Sequence, residues 1–131
     1  MNTRSRALAW DPTTAIEALA AADAALWIWT PADDQIRFTG ATRSLGLGPL
    51  APECSGAAFA ALAMPQDRAL ADRLLKPQAE GTEIAVRLRM RGCETCLWRG
   101  VWLEDGLRAA GVVALETKFA GADRDTLTGL L

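Results

Sequence analysis

Between Thr82 and Arg91 the chain sets Ile84, Val86, Leu88 and Met90 against Glu83, Arg87, Arg89 and Arg91. A period of two suits a strand with one buried and one wet face, whereas a helix would scatter these apolar side chains around its axis. Such a strand needs partners, because an isolated ribbon is marginal in water. Gly92-Cys93-Glu94 turns the chain into Thr95 to Glu104, and Asp105-Gly106 turns it again into Leu107 to Glu116. Asp-Gly suits a two-residue hairpin because both positions tolerate positive φ. The C-terminal part is therefore expected to be a three-stranded antiparallel meander.

The N-terminal part supplies two more strands. Ala25 to Thr30 and Gln35 to Thr39 flank Pro31-Ala32-Asp33-Asp34, whose proline and aspartates favour a turn. Before them, Asp11 is placed to cap a helix that opens on Pro12 and runs to about Ala22, with Ile16, Leu19 and Ala20 as its apolar stripe. From Gly40 to Ala63, Gly46, Gly48, Pro49 and Pro52 permit only short helical pieces, one of them capped by Ser55 and carrying Phe59 and Leu62. A longer helix begins at Pro65, buries Leu70, Leu74 and Leu75, and stops before Pro77. The sum is an α+β architecture: a five-stranded antiparallel sheet with short helices on one face and an N-terminal helix.

A chain of 131 residues has room for one core, and 50% apolar with 23% charged residues is an ordinary globular balance. No apolar run approaches the roughly 18 residues of a membrane span, and the first ten residues lack a secretory pattern, so no membrane role and a cytoplasmic location are expected. With 14 basic and 16 acidic side chains the net charge is −2, which offers no broad field for nucleic acid. Histidine is absent, which rules out a Ser-His or Cys-His pair, and no paired carboxylates share an obvious cleft, so no catalysis is expected in this chain. Cys54, Cys93 and Cys96 cannot fill a four-ligand zinc site by themselves and are read as reduced thiols.

Several short motifs, in order, resemble those of PAS domains across residues 11–117. Trp27-Ile28-Trp29 is similar to the Trp-x-Trp of many PAS first strands. Met64-Pro65-Gln66-Asp67-Arg68 is similar to the His-Pro-x-Asp-Arg that opens the long PAS helix, with Met in place of His. Arg87-Leu88-Arg89, a glycine turn and Leu97-Trp98-Arg99 resemble the arginine-rich and tryptophan strands, and Gly111 to Thr117 the last strand. Residues 1–10 then form a tail. In residues 118–131, Asp125-Thr126-Leu127-Thr128-Gly129-Leu130 resembles the start of a GGDEF domain, reached by a short linker. The resemblance implies a sensory or dimerisation module that controls a cyclic di-GMP turnover enzyme, GGDEF with or without EAL. The shortness of the linker favours a phosphodiesterase.

PAS domains often hold a small molecule between sheet and helices. His-ligated haem has no ligand here, and Pro52-Glu53-Cys54-Ser55-Gly56 does not match the Asn-Cys-Arg-Phe-Leu setting of flavin photoreceptors. A flavin held otherwise, or an organic acid, remains an alternative, with Trp27, Trp29 and Arg99 as the ligand-binding set. The PAS resemblance places Trp27 and Trp29 inward and Trp98 and Trp102 outward. That register makes Ile16, Leu19, Trp98 and Trp102 a dimer or partner surface, but it turns Arg99 inward, where an unpaired guanidinium is costly. The opposite register, one residue slipped, buries Trp98 and Trp102 and solvates Arg99. A homodimer is expected, with an adaptor-docking module as a further alternative.

Overall fold

The computed structural model describes residues 11–92 and 94–116. The tail at 1–10, Cys93, the linker and the GGDEF-like segment lie outside the described residues.

Helix α1 (Pro12–Ala21) starts where its cap demands. Asp11 accepts the Thr14 N–H at 2.7 Å and the Thr14 hydroxyl at 3.0 Å. These bonds favour the ionised carboxyl and hold its pKa below the ordinary value. The helix packs against the first two strands with Ile16 and Leu19 half-buried, and none of its residues is fully buried.

Strands β1 (Ala24–Thr30) and β2 (Gln35–Gly40) form the expected hairpin. Asp34 sits at its turn at φ 50°, a left-handed conformation that aspartate tolerates better than most residues. After an irregular stretch come β3 (Glu53–Cys54), α2 (Gly56–Leu62) and α3 (Arg68–Leu75), then β4 (Glu83–Arg89), β5 (Thr95–Leu103) and β6 (Arg108–Leu115). The strands lie in the order β3-β2-β1-β6-β5-β4, with every pairing antiparallel. The architecture is α+β as expected, but the sheet has six strands, not five. The additional one, β3, pairs only Ile36 with Cys54 and Arg37 with Glu53. Two residues after a proline carry no periodicity, so the alternation that reveals the other strands is missing here.

Two boundaries also differ from expectation. The Pro65 helix opens as a 3-10 turn, Pro65–Asp67, and becomes α-helical only at Arg68. Asp67 instead spends its carboxylate on the Arg89 N–H, 2.9 Å away, which ties the start of α3 to β4. The Asp105-Gly106 turn is longer than two residues, because Leu103 pairs with Arg108 and leaves Glu104 to Leu107 between them. Glu104 and Asp105 both take positive φ, at 50° and 54°. An Arg108 to Glu104 ion pair at 2.7 Å braces the turn, and Gly106 is buried where a Cβ would meet the Gln78 carbonyl at 2.9 Å.

The largest correction concerns the tryptophans of β5. Trp98 is 0% exposed and Trp102 1%, both on the face that carries Trp27 and Trp29. The register that turns them outward, drawn from the PAS resemblance, does not occur. Gly100 shows why the inward register fits. It shares their face, and a Cβ there would lie 2.9 Å from Trp27 Cζ2, so the missing side chain makes room for the indole. Burying these large rings stabilises the fold by about 1.5–3 kcal/mol each, and the same alternation releases Arg99 to the exposed face.

Candidate functional site

The inner face of the sheet and the helical layer enclose an aromatic cluster. The Trp98 ring lies 5.0 Å from Phe59, 5.8 Å from Trp27 and 6.0 Å from Phe38 in tilted or edge-on arrangements that aromatic quadrupoles favour. Leu45, Leu47, Leu50, Ala71 and Leu74 close it from the other side. Trp29 donates its indole N–H to the Leu75 carbonyl at 2.9 Å, which anchors the C-terminal end of α3. The indole N–H groups of Trp27 and Trp98 are buried and have no acceptor among the described residues. Such donors are costly to leave unpaired, and one oxygen reaching either would satisfy it.

Of the sequence-derived ligand set, Trp27 and Trp29 lie in this core, whereas Arg99 is on the opposite face of the sheet. The structure does not bring the three together. Of the surface set, Ile16 and Leu19 are half-buried on α1, and Trp98 and Trp102 are inside, where they cannot present a surface.

What the sheet presents outward is a different apolar group: Leu26, Ile28, Leu97, Val101, Ala110 and Val112. Ile28 is 41% exposed, an unusual setting for isoleucine at the centre of a sheet. The signal was available in the sequence. Strands apolar at odd and even positions alike, such as Val112-Val113-Ala114-Leu115, are covered or meant to be covered on both faces.

Other features are structural. Ser55 caps α2 through the Ala58 N–H at 3.0 Å, while Asp34 accepts the Gly56 N–H at 3.0 Å. Burial, with the nearby Asp34 carboxylate adding to it, pushes the Cys54 thiol up to about 11, so it is a poor nucleophile near neutrality. Cys96 is buried. Among the described residues no cluster of His, Cys, Asp and Glu is arranged to hold a metal ion, and no helix is long and apolar enough to cross a membrane. A cleft of about 430 Å³ lies between α3 and β4, lined by Leu70, Arg73, Leu74, Ile84, Val86 and Arg87 among others.

An antiparallel sheet with short helices over one face and an aromatic interior is the architecture of a PAS domain, a regulatory module and not a catalytic one. The assignment is more particular than that. Residues 11–116 match the PdeA-like PAS domain family, and the chain belongs to it. It is also 68% identical to the protein in a solved structure described as "Adaptor dependent degradation of a cell-cycle regulator reveals diversity in substrate architectures". That similarity covers 85% of this chain and 99% of the other, with a TM-score of 0.79. No curated protein matches the chain closely enough to add an assignment.

Proposed function

We propose that this domain acts through protein contacts: it pairs with a second copy, docks an adaptor that directs degradation, and by these contacts controls a cyclic di-GMP turnover enzyme. One observation carries the reading. The space between sheet and helices is filled by Trp27, Phe38, Phe59, Trp98 and Trp102, while the outer face of the sheet offers apolar side chains to a partner. The similarity to a protein described in terms of adaptor-dependent degradation supports the docking element. The PdeA-like family and the GGDEF-like residues Asp125 to Leu130 support the link to cyclic di-GMP, with a phosphodiesterase favoured by the short linker.

The test is reconstitution. Protein captured by the 131-residue chain from its own cell extract is purified and added back with the matching protease, and the half-life of the chain is followed. An adaptor shortens that half-life, and Ile28→Asp on the outer face lengthens it again without lowering the melting temperature. A half-life indifferent to every captured protein sinks the docking reading.

A second reading has one observation in its favour: the indole N–H groups of Trp27 and Trp98, without an acceptor among the described residues, are suited to a small oxygen-bearing ligand in the core. A flavin or an organic acid released on denaturation, detected by colour or mass, would establish it. Denatured protein that releases nothing would remove it.

A further inference from the structure

The edge of the sheet at β4 carries an unused and self-complementary strip of backbone. In the antiparallel pairing with β5, even-numbered residues of β4 bond to their neighbour, as shown by Trp102 N–H donating to the Thr82 carbonyl at 2.9 Å in the same register. The odd-numbered residues therefore aim their N–H and C=O groups away from the sheet. At Arg89 and Arg91 the chain meets this need itself. Arg89 donates to Asp67 at 2.9 Å and accepts from the Met64 N–H at 2.8 Å, and Arg91 donates to the Leu62 carbonyl at 2.9 Å. At the other end, the turn at Gly81 and Thr82 closes the edge. Between these limits lie Glu83, Ala85 and Arg87, all exposed, whose outward-aimed backbone groups receive no hydrogen bond among the described residues.

A bare edge invites another strand, and proteins commonly protect one with charged side chains or proline, charges of one sign repelling a second copy. Here the charges have opposite sign and stand symmetrically about Ala85. If a second copy lies antiparallel with Ala85 on the two-fold axis, Glu83 of each chain faces Arg87 of the other. The three outward-aimed positions become hydrogen-bonded pairs, and Ile84 meets Val86 on the inner face, over the cleft lined by Leu70 and Leu74. The window is five residues long and centred on Ala85, so both the closed ends and the charges select the same register. Arg87 already reaches Glu116 at 2.6 Å. The Arg87 side chain is exposed while Glu116 is half-buried, and a guanidinium has donors enough to serve two carboxylates.

We propose that the homodimer forms by β4-to-β4 pairing about Ala85, joining two six-stranded sheets into one continuous sheet. The inference rests on the homodimer reading above and adds the surface and the register. Such an interface is isologous, so each substitution acts twice.

The test uses the 131-residue chain in sedimentation equilibrium over a wide concentration range. The wild type is expected to be a dimer. Arg87→Glu and Glu83→Arg, each placing like charges opposite one another at two points, are expected to raise the dissociation constant at least about tenfold. Mixing the two single variants in equal amounts restores complementarity and should recover a heterodimer, as should the doubly swapped chain by itself. Ala85→Pro removes the central N–H, which has no hydrogen-bond acceptor among the described residues, and should yield a folded monomer by circular dichroism. A dimer that persists in all these variants overturns the β4 interface and leaves the homodimer standing. A wild type monomeric at every concentration overturns both. Single variants that become monomers but do not recover on mixing overturn the register.

Discussion

Trp98→Ala isolates what holds this domain together. The side chain is 0% exposed and meets the rings of Trp27, Phe38 and Phe59. Truncating a buried tryptophan costs about 3–5 kcal/mol, from lost transfer energy and from the cavity left behind. Against that stands the indole N–H, which has no acceptor among the described residues and whose removal returns about 1–3 kcal/mol. The expected net loss is thus about 0–4 kcal/mol with a midpoint of about 2, a substantial part of the 5–15 kcal/mol that typically stabilises a domain. Trp98→Phe keeps an aromatic ring and deletes the same N–H, and is expected to cost about 1 kcal/mol or less. Arg99→Ala, one residue on but on the exposed face, should stay within about 0.5 kcal/mol. Urea denaturation of the three variants, with unchanged slopes as the control, gives the comparison. Equal losses for Trp98→Ala and Arg99→Ala would refute the inward register. A Trp98→Phe loss as large as that of Trp98→Ala would show that the indole N–H has an acceptor in solution.

The remaining expectations concern single contacts. Asp67→Ala leaves the Arg89 N–H without its carboxylate and should cost about 1–2 kcal/mol in urea denaturation, with faster amide exchange at Arg89. Asp34→Gly keeps the left-handed turn and loses only the bond to Gly56, so Asp34→Ala, which loses both, should be the less stable by thermal melting. The Cys54 thiol, raised from the ordinary 9.0 to about 11, should react slowly with iodoacetamide at pH 8. Because its folded pKa lies above the unfolded one, its contribution to stability is complete below pH 9 and is lost as pH rises from there through about 11. A fall in stability confined to lower pH would contradict this assignment.

Much of the fold was legible because it rests on short-range chemistry. Asp11 and Ser55 cap the helices they precede, Pro31 to Asp34 turn the first hairpin, and the alternation from Ile84 marks β4. Strand β3 was not legible, since two residues hold no pattern and its pairing with β2 is a tertiary event. The candidate site was less legible still. Residue types identified the tryptophans as important, but the direction in which Trp98 and Trp102 point depends on which face of β5 the helices cover.

By itself the sequence determined the period-two strands, the caps, the turns and hence the α+β class, because each depends on neighbours within a few residues along the chain. Only the tertiary structure decided the face of β5 that enters the core, which of the apolar side chains remain on the outer face, and the open edge at β4. Alternation separates two faces of a strand without saying which is inside. That choice is made by distant partners, here Gly100 giving space to Trp27 and Phe59 closing over Trp98.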